Sequence, residues 1–521
     1  MLWLALHLPL LSLEAFCATL SPELRQRPVV LLADHRVQAA NAAAAERGIR
    51  AGIKRATALA LAGDLLVAES SPARDAAALL AVAHAALAFT PSVTLQDGHT
   101  VLLEVQGSLR LFGGLAALRE RLTAALAPLQ QPVPHVVHMA AAPTALGAAL
   151  LARWHPPPTN NQSDDLSNGL VLGPHATRLP VLQALLDDAP VWLLGPGREH
   201  WEALQGMGLH HLSDLRQLPR GGLARRFGAG LLDDLDRAFG HQADPRCWLE
   251  LPAEFESRLE LYTHAENTEQ VLHAAAVLLA RLVAWAQARR ARVGAFTLRM
   301  RHEPRRQMTG LTCNVRSTDL HIALAEPALD AAHLQLLLRE RLARVTLAAP
   351  TLELRLHCKH LVAGPAPNGE LFPTRASQTE GLVRLLERLR ARLGDTQVQR
   401  LVPVADHRPE HASRTLPAKD AMIATPAWDG GEPLLPLHRP AWLLPDPLPL
   451  AERGALPLLE GQPLQLLSGP ERIESGWWDG HAVARDYFIA QAVDGSLVWL
   501  YRGRMPAEAS EPGWFLQGRF A

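Results

Sequence analysis

The first residues of the chain, MLWLALHLPLLSLEAF, form an apolar stretch that runs directly into a short helical pattern. An apolar run without a basic segment before it or a small-residue cleavage site after it is typical of a buried strand rather than a signal peptide. A buried strand needs a sheet around it and helices that cover the sheet. This feature therefore restricts the N-terminal region to folds with a covered sheet.

Strand-like and helix-like segments alternate from this strand to about residue 155. Residues 28–69 predict a strand, an Ala-rich helix, a glycine turn, a second helix and a strand, while residues 72–90 and 113–129 predict helices. The stretch HTVLLEV at 99–105 predicts a short buried strand. This alternation predicts an α+β fold in which helices pack on a mixed sheet.

The length, net charge, cysteine content and apolar runs of the chain exclude several classes of protein. A chain of 521 residues is expected to form roughly three to four domains. The net charge of −1 gives no global attraction for nucleic acid, so any such surface is local. The four cysteines are scattered without a CxxC pair, which argues against zinc or disulfides and favours a reducing, cytoplasmic setting. No apolar run reaches about 18 residues, so no membrane span is expected.

Residues 180–240 predict several short helices with glycines between them. In WEALQGMGLHHLSDLRQLP, Gly206 and Gly208 close one helix, and Ser213 with Asp214 opens the next. Glycines at such a hairpin bring backbone amides close to a DNA phosphate, as in a helix–hairpin–helix motif. An ordinary turn between two helices explains the same residues equally well.

Two strands further along, within AFTLRMRHEPRRQ and TLELRLHCKHL, alternate apolar and basic residues. The positions predicted to face inward are Phe296, Leu298, Met300, Leu352, Leu354, Leu356 and Cys358. The outward or turn positions predicted to contact DNA phosphates are Arg299, Arg301, Arg305, Arg306, Arg355 and Lys359. A solvated sheet face is the alternative, although such faces usually mix charges and these strands hold a single acid, Glu353.

The C-terminal part changes in composition. The stretch AGPAPNGELFP (363–373) predicts a linker, and EGLVRLLERLRARLG (380–394) predicts a helix. From about residue 403 the chain is Pro-rich, and its last 94 residues hold six of the twelve tryptophans. A β-hairpin is predicted around Asp494 and Gly495. This tail predicts a small β module or a surface that docks a partner.

The order of these elements resembles that of the Y-family (translesion) DNA polymerases, which have palm, fingers, thumb and little-finger domains. Their first acidic motif resembles VD-x-D-x-FFA-x-VE, and alignment on Glu14 places Ala5 and His7 at its aspartates. Their second acidic motif resembles S-x-DE-x-F-x-DVTG and falls on DGHTVLLEVQG, where His99 and Thr100 replace the Asp-Glu pair. The resemblance therefore implies a palm without its metal-binding acids.

This loss matters for the chemistry. Nucleotidyl transfer needs two Mg²⁺ ions held by carboxylates, which alanine and threonine cannot replace. His7 and His99 would favour a transition metal, but ordinary packing at the rim of the sheet is the simpler interpretation. The family's APNKLLAK stretch falls on residues 142–149, where both lysines are missing. We therefore expect no catalytic residue, no metal site and no cofactor.

The tail motifs resemble those of the ImuB family, the polymerase-like proteins of bacterial inducible mutasomes. These motifs are DHRPE (406–410), RPAWLLPDPLPL (439–450), GPERIESGWWDG (469–480) and RDYF (485–488). The resemblance implies a non-catalytic adaptor in translesion synthesis and damage-induced (SOS) mutagenesis. Such an adaptor binds DNA and the sliding clamp, and recruits an error-prone C-family polymerase and the RecA-like accessory protein ImuA.

The resemblance also implies a clamp-binding peptide similar to Q-L-x-L-F. Its expected position holds Glu370, Leu371 and Phe372, without the leading glutamine. A mobile extended peptide with a Leu-Phe pair suits a shallow apolar pocket. Packing of this pair on its own domain is the alternative.

The implied domains follow the order of the Y-family. They are 1–20 and 70–155 (palm), 21–69 (fingers), 170–245 (thumb), 250–362 (little finger), 363–402 (clamp-peptide linker and helix) and 403–521 (C-terminal partner-binding region). Two other interpretations remain open. One is an active polymerase with metal ligands elsewhere, for which Glu14, Asp97 and Glu104 are the acidic candidates. The other is a DNA-repair protein with a helix–hairpin–helix motif but no palm-type sheet.

Overall fold

The protein is described here by a computed structural model that covers residues 1–130, 135–154, 170–303, 316–363, 375–394, 396–418, 439–504 and 513–520. The chain divides into two compact units. Unit 1 is Met1–Arg392, and unit 2 is Leu393–Ala521.

Unit 1 begins with strands and helices that form two sheets. The elements are β1 (Trp3–His7), α1 (Leu11–Cys17), α2 (Pro22–Arg25), β2 (Val29–Ala33), β3 (Arg36–Ala40), α3 (Ala42–Glu46), α4 (Arg55–Leu61), β4 (Leu66–Glu69), α5 (Pro72–Leu87), β5 (Val93–Gln96), β6 (Thr100–Glu104), α6 (Leu109–Phe112), α7 (Leu115–Leu126), β7 (Val137–Ala142), α8 (Ala145–Arg153) and β8 (Leu170–His175).

The strand β1 lies in the centre of a five-stranded sheet with the order β5–β6–β1–β7–β8. It pairs antiparallel with β6 and β7, while β7 pairs parallel with β8. One face of this sheet packs on α5 and α7, and the other packs on α8 and on helices within residues 179–239. The predicted α+β fold, with a buried first strand in a helix-covered mixed sheet, is confirmed.

A three-stranded sheet, in the order β3–β2–β4, is inserted between α1 and α5. The Ala-rich helix predicted after β2 is wrong for its first half, because the chain turns back there as β3. Asp34 and His35 have φ angles of 48° and 61°, which suit a two-residue turn between antiparallel strands. The helix α3 that follows has five residues.

The second half of unit 1 contains a helical segment and a four-stranded sheet. The elements are α9 (Leu179–Asp187), α10 (Gly195–Glu199), α11 (Trp201–Gly206), α12 (Leu212–Gln217), α13 (Arg220–Phe227), α14 (Ala229–Phe239), β9 (Phe255–Ala265), α15 (Thr268–Ala288), β10 (Ala291–His302), β11 (Ser317–Ala328), α16 (Ala331–Leu342), β12 (Thr351–Ala363) and α17 (Arg375–Leu393).

The four-stranded sheet has the order β11–β10–β12–β9, and α15 and α16 cover its inner face. The predicted inward residues of β10 are buried, as are Leu354, Leu356 and Cys358 of β12. Leu352 is only partly buried, because the register between β12 and β9 shifts between Thr351 and Glu353. The alternation of buried and exposed side chains along a strand is interrupted where the register shifts.

The helix α15 is the one described helix that is long and apolar enough to cross a membrane by length and composition. Its apolar window has a mean hydropathy of 1.6, but 78% of that window is buried inside the protein. Val271, Leu278 and Trp285 pack under the four-stranded sheet. The helix therefore has the environment of a core helix.

Unit 2 is built from strands in its described residues. They are β13 (Gln399–Pro403), β14 (Ser413–Pro417), β15 (Trp442–Arg453), β16 (Leu456–Leu459), β17 (Gln462–Pro463), β18 (Gln465–Ser475), β19 (Val483–Gln491), β20 (Leu497–Gly503) and β21 (Gly513–Arg519). A seven-stranded sheet has the order β17–β16–β15–β21–β20–β19–β18. The hairpin predicted around Gly495 joins β19 and β20.

Candidate functional site

The two strands that align with the acidic motifs lie side by side, and His7 pairs with Thr100 in their antiparallel ladder. The Nδ1 atom of His7 lies 2.9 Å from Oγ1 of Thr100, and both side chains are buried. His99 lies in the loop before β6, with Nδ1 3.1 Å from the carbonyl oxygen of Asp97. The fold therefore brings His7 and Thr100 together, with His99 adjacent in the chain.

The position aligned with the first aspartate is closed by packing. Ala5 is 0% exposed and pairs with Leu102 on one side and Ala140 on the other. These residues join Trp3 in the apolar cluster that includes α8. A carboxylate here would leave water for apolar surroundings, at a cost of several kcal/mol per ion. The position of Ala5 is therefore part of an apolar core.

The environment of His7 also disfavours a metal ion. Burial, followed by the positive charges of Arg153, His138 and His99, lowers the pKa of His7 to about 3, so its imidazole is neutral at physiological pH. A neutral imidazole can coordinate metal, but the neighbouring guanidinium repels cations. In the described part of the chain, no group of three or more His, Cys, Asp or Glu residues is placed to hold a metal.

Arg153, at the end of α8, is held in place from two directions. Its Nη2 atom lies 2.6 Å from Oδ2 of Asp97 in the loop between β5 and β6. Its Nη1 donates to the carbonyl oxygen of Leu193 at 3.1 Å. The guanidinium thus connects the edge of the five-stranded sheet to the helical segment that follows it.

The acidic residues considered as alternative metal ligands are engaged elsewhere. Glu14 accepts from Nδ1 of His135 at 3.0 Å and from a backbone amide at 2.9 Å. Glu104 accepts two backbone amides at 3.3 and 3.2 Å. Asp97 pairs with Arg153. These carboxylates stabilise local structure, and their contacts do not converge on a shared site.

The helix aligned with the family's lysine-bearing stretch is packed into the core. Ala145 and Ala149, which stand at the lysine positions, belong to the same apolar cluster as the helices of residues 179–239. Thr144 caps this helix: its Oγ1 accepts the Gly147 amide at 3.1 Å and donates to the carbonyl oxygen of Ala238 at 2.8 Å. These positions therefore offer no cation to a nucleotide triphosphate.

The four-stranded sheet presents the predicted basic residues of β10 and β12 on its exposed face, where neighbouring segments supply acids. Nε and Nη2 of Arg299 each lie 2.7 Å from the carboxylate of Asp319 on β11. Nζ of Lys359 lies 3.2 Å from Oε2 of Glu254. The face is therefore less basic than β10 and β12 alone indicate.

Three arginines surround a buried carboxylate on the same face. The Glu353 side chain is 0% exposed and lies 2.6 Å from Nε of Arg355, 2.8 Å from Nη2 of Arg258 and 3.2 Å from Nη2 of Arg301. We call these four residues the arginine cluster; its formal net charge is +2. The shared carboxylate fixes three guanidinium groups that are about half exposed, so they remain available to an anion in solution.

We expect the substitution Glu353→Gln to destabilise unit 1 by about 1–3 kcal/mol near neutral pH, because three guanidinium groups lose their shared counter-charge. Burial acts to raise the pKa of Glu353, but the hydrogen bond from Arg355 and the charges of Arg258 and Arg301 outweigh it, so the folded pKa is lowered. The stabilisation is therefore present above the unfolded pKa and is lost as the pH falls through the folded value.

Differential scanning calorimetry from pH 7 down to pH 3 measures this effect. The difference between wild type and Glu353→Gln should narrow below about pH 4. The control is Glu254→Gln, since Glu254 forms an exposed pair with Lys359. A deficit of Glu353→Gln that stays constant with pH, or is matched by the control, would contradict the role of the carboxylate.

Five predicted contact residues lie outside the described residues. Arg305 and Arg306 fall between β10 and β11. Glu370, Leu371 and Phe372 fall between β12 and α17. Their contacts stay predictions.

In the predicted helix–hairpin–helix, the second helix begins at a different residue from the one predicted. Gly206 is the last residue of α11, and Gly208 follows with a φ of 78°. His211, not Ser213, caps α12, while Asp214 accepts two backbone amides at 2.9 Å each. Because this carboxylate already occupies two amides of the hairpin, fewer of them are available to a phosphate.

A second glycine turn, which was not predicted from the sequence, precedes this hairpin. Gly195, Pro196 and Gly197 begin α10. A Cβ atom at Gly197 would lie 2.2 Å from the carbonyl oxygen of Val191, so only glycine fits there. The Gly-x-Gly spacing was the signal that could have revealed it.

In unit 2, Trp477 and Trp478 project from the turn between β18 and β19, which we call the tryptophan loop (residues 476–480). Their side chains are 79% and 56% exposed, with ring centroids 5.4 Å apart. Arg408 lies beneath the loop and pairs with Asp406 at 2.8 Å and Asp479 at 2.6 Å. Its hydrogen bonds lower the pKa of Asp406 to about 2. Two large indoles are thus exposed on a braced turn.

The helix-covered mixed sheet, its inserted small sheet and the pairing of β1 with β6 agree with the fold that the resemblance to the Y-family polymerases implied. Residues 11–150 match the model of the impB/mucB/samB family. The chain is 27% identical over 494 residues to Protein ImuB of Caulobacter vibrioides strain NA1000 / CB15N, a match that covers 91% of this chain and 100% of that protein. The resemblance to ImuB predicted from the tail motifs is confirmed.

Solved structures of Y-family polymerases also align with the chain. The insertion ternary complex of Dbh DNA polymerase aligns with a TM-score of 0.38, and DinB from Sulfolobus solfataricus aligns with 0.35. Each is 16% identical and covers 70% of this chain and 100% of its own.

Proposed function

We propose that this chain is a non-catalytic adaptor in translesion synthesis and damage-induced mutagenesis, acting in the cytoplasm without a membrane or a cofactor. The observation that carries the proposal is the closed palm position, where Ala5 packs between Leu102 and Ala140. An active Y-family polymerase is the alternative, and it would need carboxylates that meet at one point. Glu14, Asp97 and Glu104 are instead held by other partners.

In this proposal the five-stranded sheet serves as the palm, the three-stranded sheet as the fingers, the helical segment as the thumb and the four-stranded sheet as the little finger. DNA contacts the little finger through Arg299, Arg301, Arg355 and Lys359, together with Arg305 and Arg306. Gly206 and Gly208 approach the backbone from the thumb. Guanidinium groups held at fixed positions suit phosphate contacts, which give affinity without sequence preference.

Replacing Arg299 and Arg301 by glutamine should weaken DNA binding by a similar factor on all sequences. The slope of log affinity against log salt should fall by about 1 for each phosphate that the variant no longer neutralises. Fluorescence anisotropy on primed templates of different sequence, at several salt concentrations, measures both quantities.

The matched control is Asp319→Asn. Asp319 pairs with Arg299 through two contacts of 2.7 Å, so removal of its charge should free that guanidinium and strengthen DNA binding. Weaker binding of Asp319→Asn, or a sequence-selective loss in the arginine variants, would contradict backbone contact at this face.

The proposed protein partners are the sliding clamp, an error-prone C-family polymerase and the RecA-like protein ImuA. The clamp binds the segment with Glu370, Leu371 and Phe372. The other partners bind unit 2, where the tryptophan loop offers two exposed aromatic anchors of the kind that dominate protein interfaces. Residues 393–521 hold 11 Lys and Arg against 16 Asp and Glu, a formal net charge of −5. This charge disfavours DNA and favours a protein with a basic surface.

A further inference from the structure

A cleft of about 530 Å³ lies in unit 1 between the helix α5 and the strand β9. One wall is a run of nine consecutive residues, from Glu254 to Tyr262. The opposite wall is the face of α5 that carries Ala73, Ala77 and Leu80. Because successive side chains of a strand point in opposite directions, a wall of consecutive residues shows that the edge of β9 faces the cleft.

The edge of β9 that faces the cleft is unpaired in the described residues. The strand is the last of its sheet and pairs with β12 alone. It spans Phe255–Ala265, and its part that lines the cleft, from Phe255 to Tyr262, offers a row of main-chain donors and acceptors. Such an edge can accept an additional strand.

A buried cation reaches the same cleft from α15. Arg281 lines the cleft, is 6% exposed and, among the described residues, has a hydrogen bond to Oγ of Ser257 at 3.2 Å. Burial lowers its pKa to about 10, so the guanidinium stays charged at physiological pH. A buried charge needs a counter-charge, and no carboxylate of the described residues lies within ion-pair distance of Arg281, whose pKa is shifted by burial alone.

The other charged groups of the cleft are matched by neighbours or lie on its rim. Glu254 pairs with Lys359 at 3.2 Å, Arg258 pairs with the buried Glu353, and Nε of Arg74 lies 3.7 Å from Oδ1 of Asp75. Glu256 and Glu260 are exposed, and Glu260 approaches Arg258 at 3.9 Å.

The histidine that lines the cleft is uncharged. Burial lowers the pKa of His84 to about 4, so its imidazole carries no charge near neutral pH. Among the described lining residues, Arg281 is therefore the buried charge that has no carboxylate partner.

We propose that this cleft binds an extended segment of a partner protein, which adds to the free edge of β9 and places one carboxylate against Arg281. Main-chain hydrogen bonds to β9 hold the segment, and alternate side chains contact the apolar wall of α5. The carboxylate supplies the counter-charge that Arg281 lacks. This site lies apart from Ala5 and His7, so it does not depend on the state of the palm.

A random octapeptide library displayed on yeast and selected with the full-length chain tests the proposal. The enriched peptides should carry one Asp or Glu at a constant position, flanked by alternating apolar residues. The best peptide, made synthetically, should lose roughly 10- to 100-fold in affinity when its acid becomes the amide, as for one charge-assisted hydrogen bond. Arg281→Gln should cause a similar loss.

Two neighbouring alanines of α5 allow a test variant inside the cleft and a matched control outside it. Ala77 lines the cleft, whereas Ala76 is exposed outside it, so Ala77→Phe should block peptide binding and Ala76→Phe should not. Circular dichroism checks that both variants fold. No enrichment, enriched peptides without a constant acid, or peptides that bind Ala77→Phe as well as wild type would each overturn the proposal.

Discussion

No template-directed nucleotide addition is expected when the purified chain is incubated with a primed template, dNTPs and Mg²⁺ or Mn²⁺. The reaction needs two metal ions clamped by carboxylates, and each ion stabilises charge that develops on the attacking or leaving oxygen. Here Ala5 packs among apolar side chains, and His7 and Thr100 hydrogen-bond to each other. The loss of these carboxylates removes the largest contribution to the rate, so the expected product is undetectable rather than merely reduced.

An active Y-family polymerase on the same template is the positive control. The contradicting result is dNTP addition that follows the template and disappears in Glu14→Ala, since Glu14 is one of the acidic residues near the palm. Such a result would show that the carboxylate leaves His135 and binds metal, and it would replace the adaptor by the active-polymerase alternative. Addition that survives each of Glu14→Ala, Asp97→Ala and Glu104→Ala would indicate a contaminating enzyme.

The double substitution Trp477→Ala and Trp478→Ala should strongly weaken binding to the C-family polymerase or to the RecA-like protein. An interface hot spot contributes about 2 kcal/mol or more, so removal of two should weaken binding by at least roughly 30-fold if their effects overlap completely, and by roughly 1,000-fold if they add. The two side chains are exposed, so the thermal stability of unit 2 should not change. Biolayer interferometry with each purified partner measures the affinity.

Trp442→Ala is the matched control, because Trp442 is also exposed but lies on β15, outside the tryptophan loop. DNA binding, which we assign to unit 1, should be unaffected in both variants. Unchanged affinity for both partners in the double variant would exclude the tryptophan loop as their docking site. Equal losses in Trp442→Ala would instead indicate a broad aromatic surface without a central anchor.

Local patterns in the chain predicted the main elements of unit 1 correctly. The spacing from Glu14 back to Ala5, and the position of His99 and Thr100 in the second motif, were enough to select two strands, and these strands are neighbours in the sheet. The residues of β10 and β12 alternate as predicted except at Leu352. The insert at residues 28–69 was less predictable. The alanine-rich sequence after β2 favours a helix, whereas the turn at Asp34 and His35 depends on positive φ angles that this sequence does not indicate.

The charges of the candidate DNA face could not be predicted in the same way. Arg299 and Arg301 stand out in the sequence, but Asp319 and Arg258 lie on other strands and meet them only through the strand order. The exposure of side chains in the C-terminal part could not be predicted either. The sequence gives the number of tryptophans, but it does not distinguish the exposed Trp477 from the buried Trp499. Exposure depends on which faces of the sheet are covered.

The sequence by itself determined that Ala5, His7, His99 and Thr100 stand where the Y-family motifs have acids, because the identity of a side chain needs no fold to be known. It also determined the alternation of strands and helices, because periodicity is local. Only the tertiary structure decided that Ala5 lies in an apolar core, that Glu353 contacts three arginines and that Arg281 has no carboxylate partner among the described residues. The partners and burial of a side chain depend on residues that are distant in sequence and are brought together by packing.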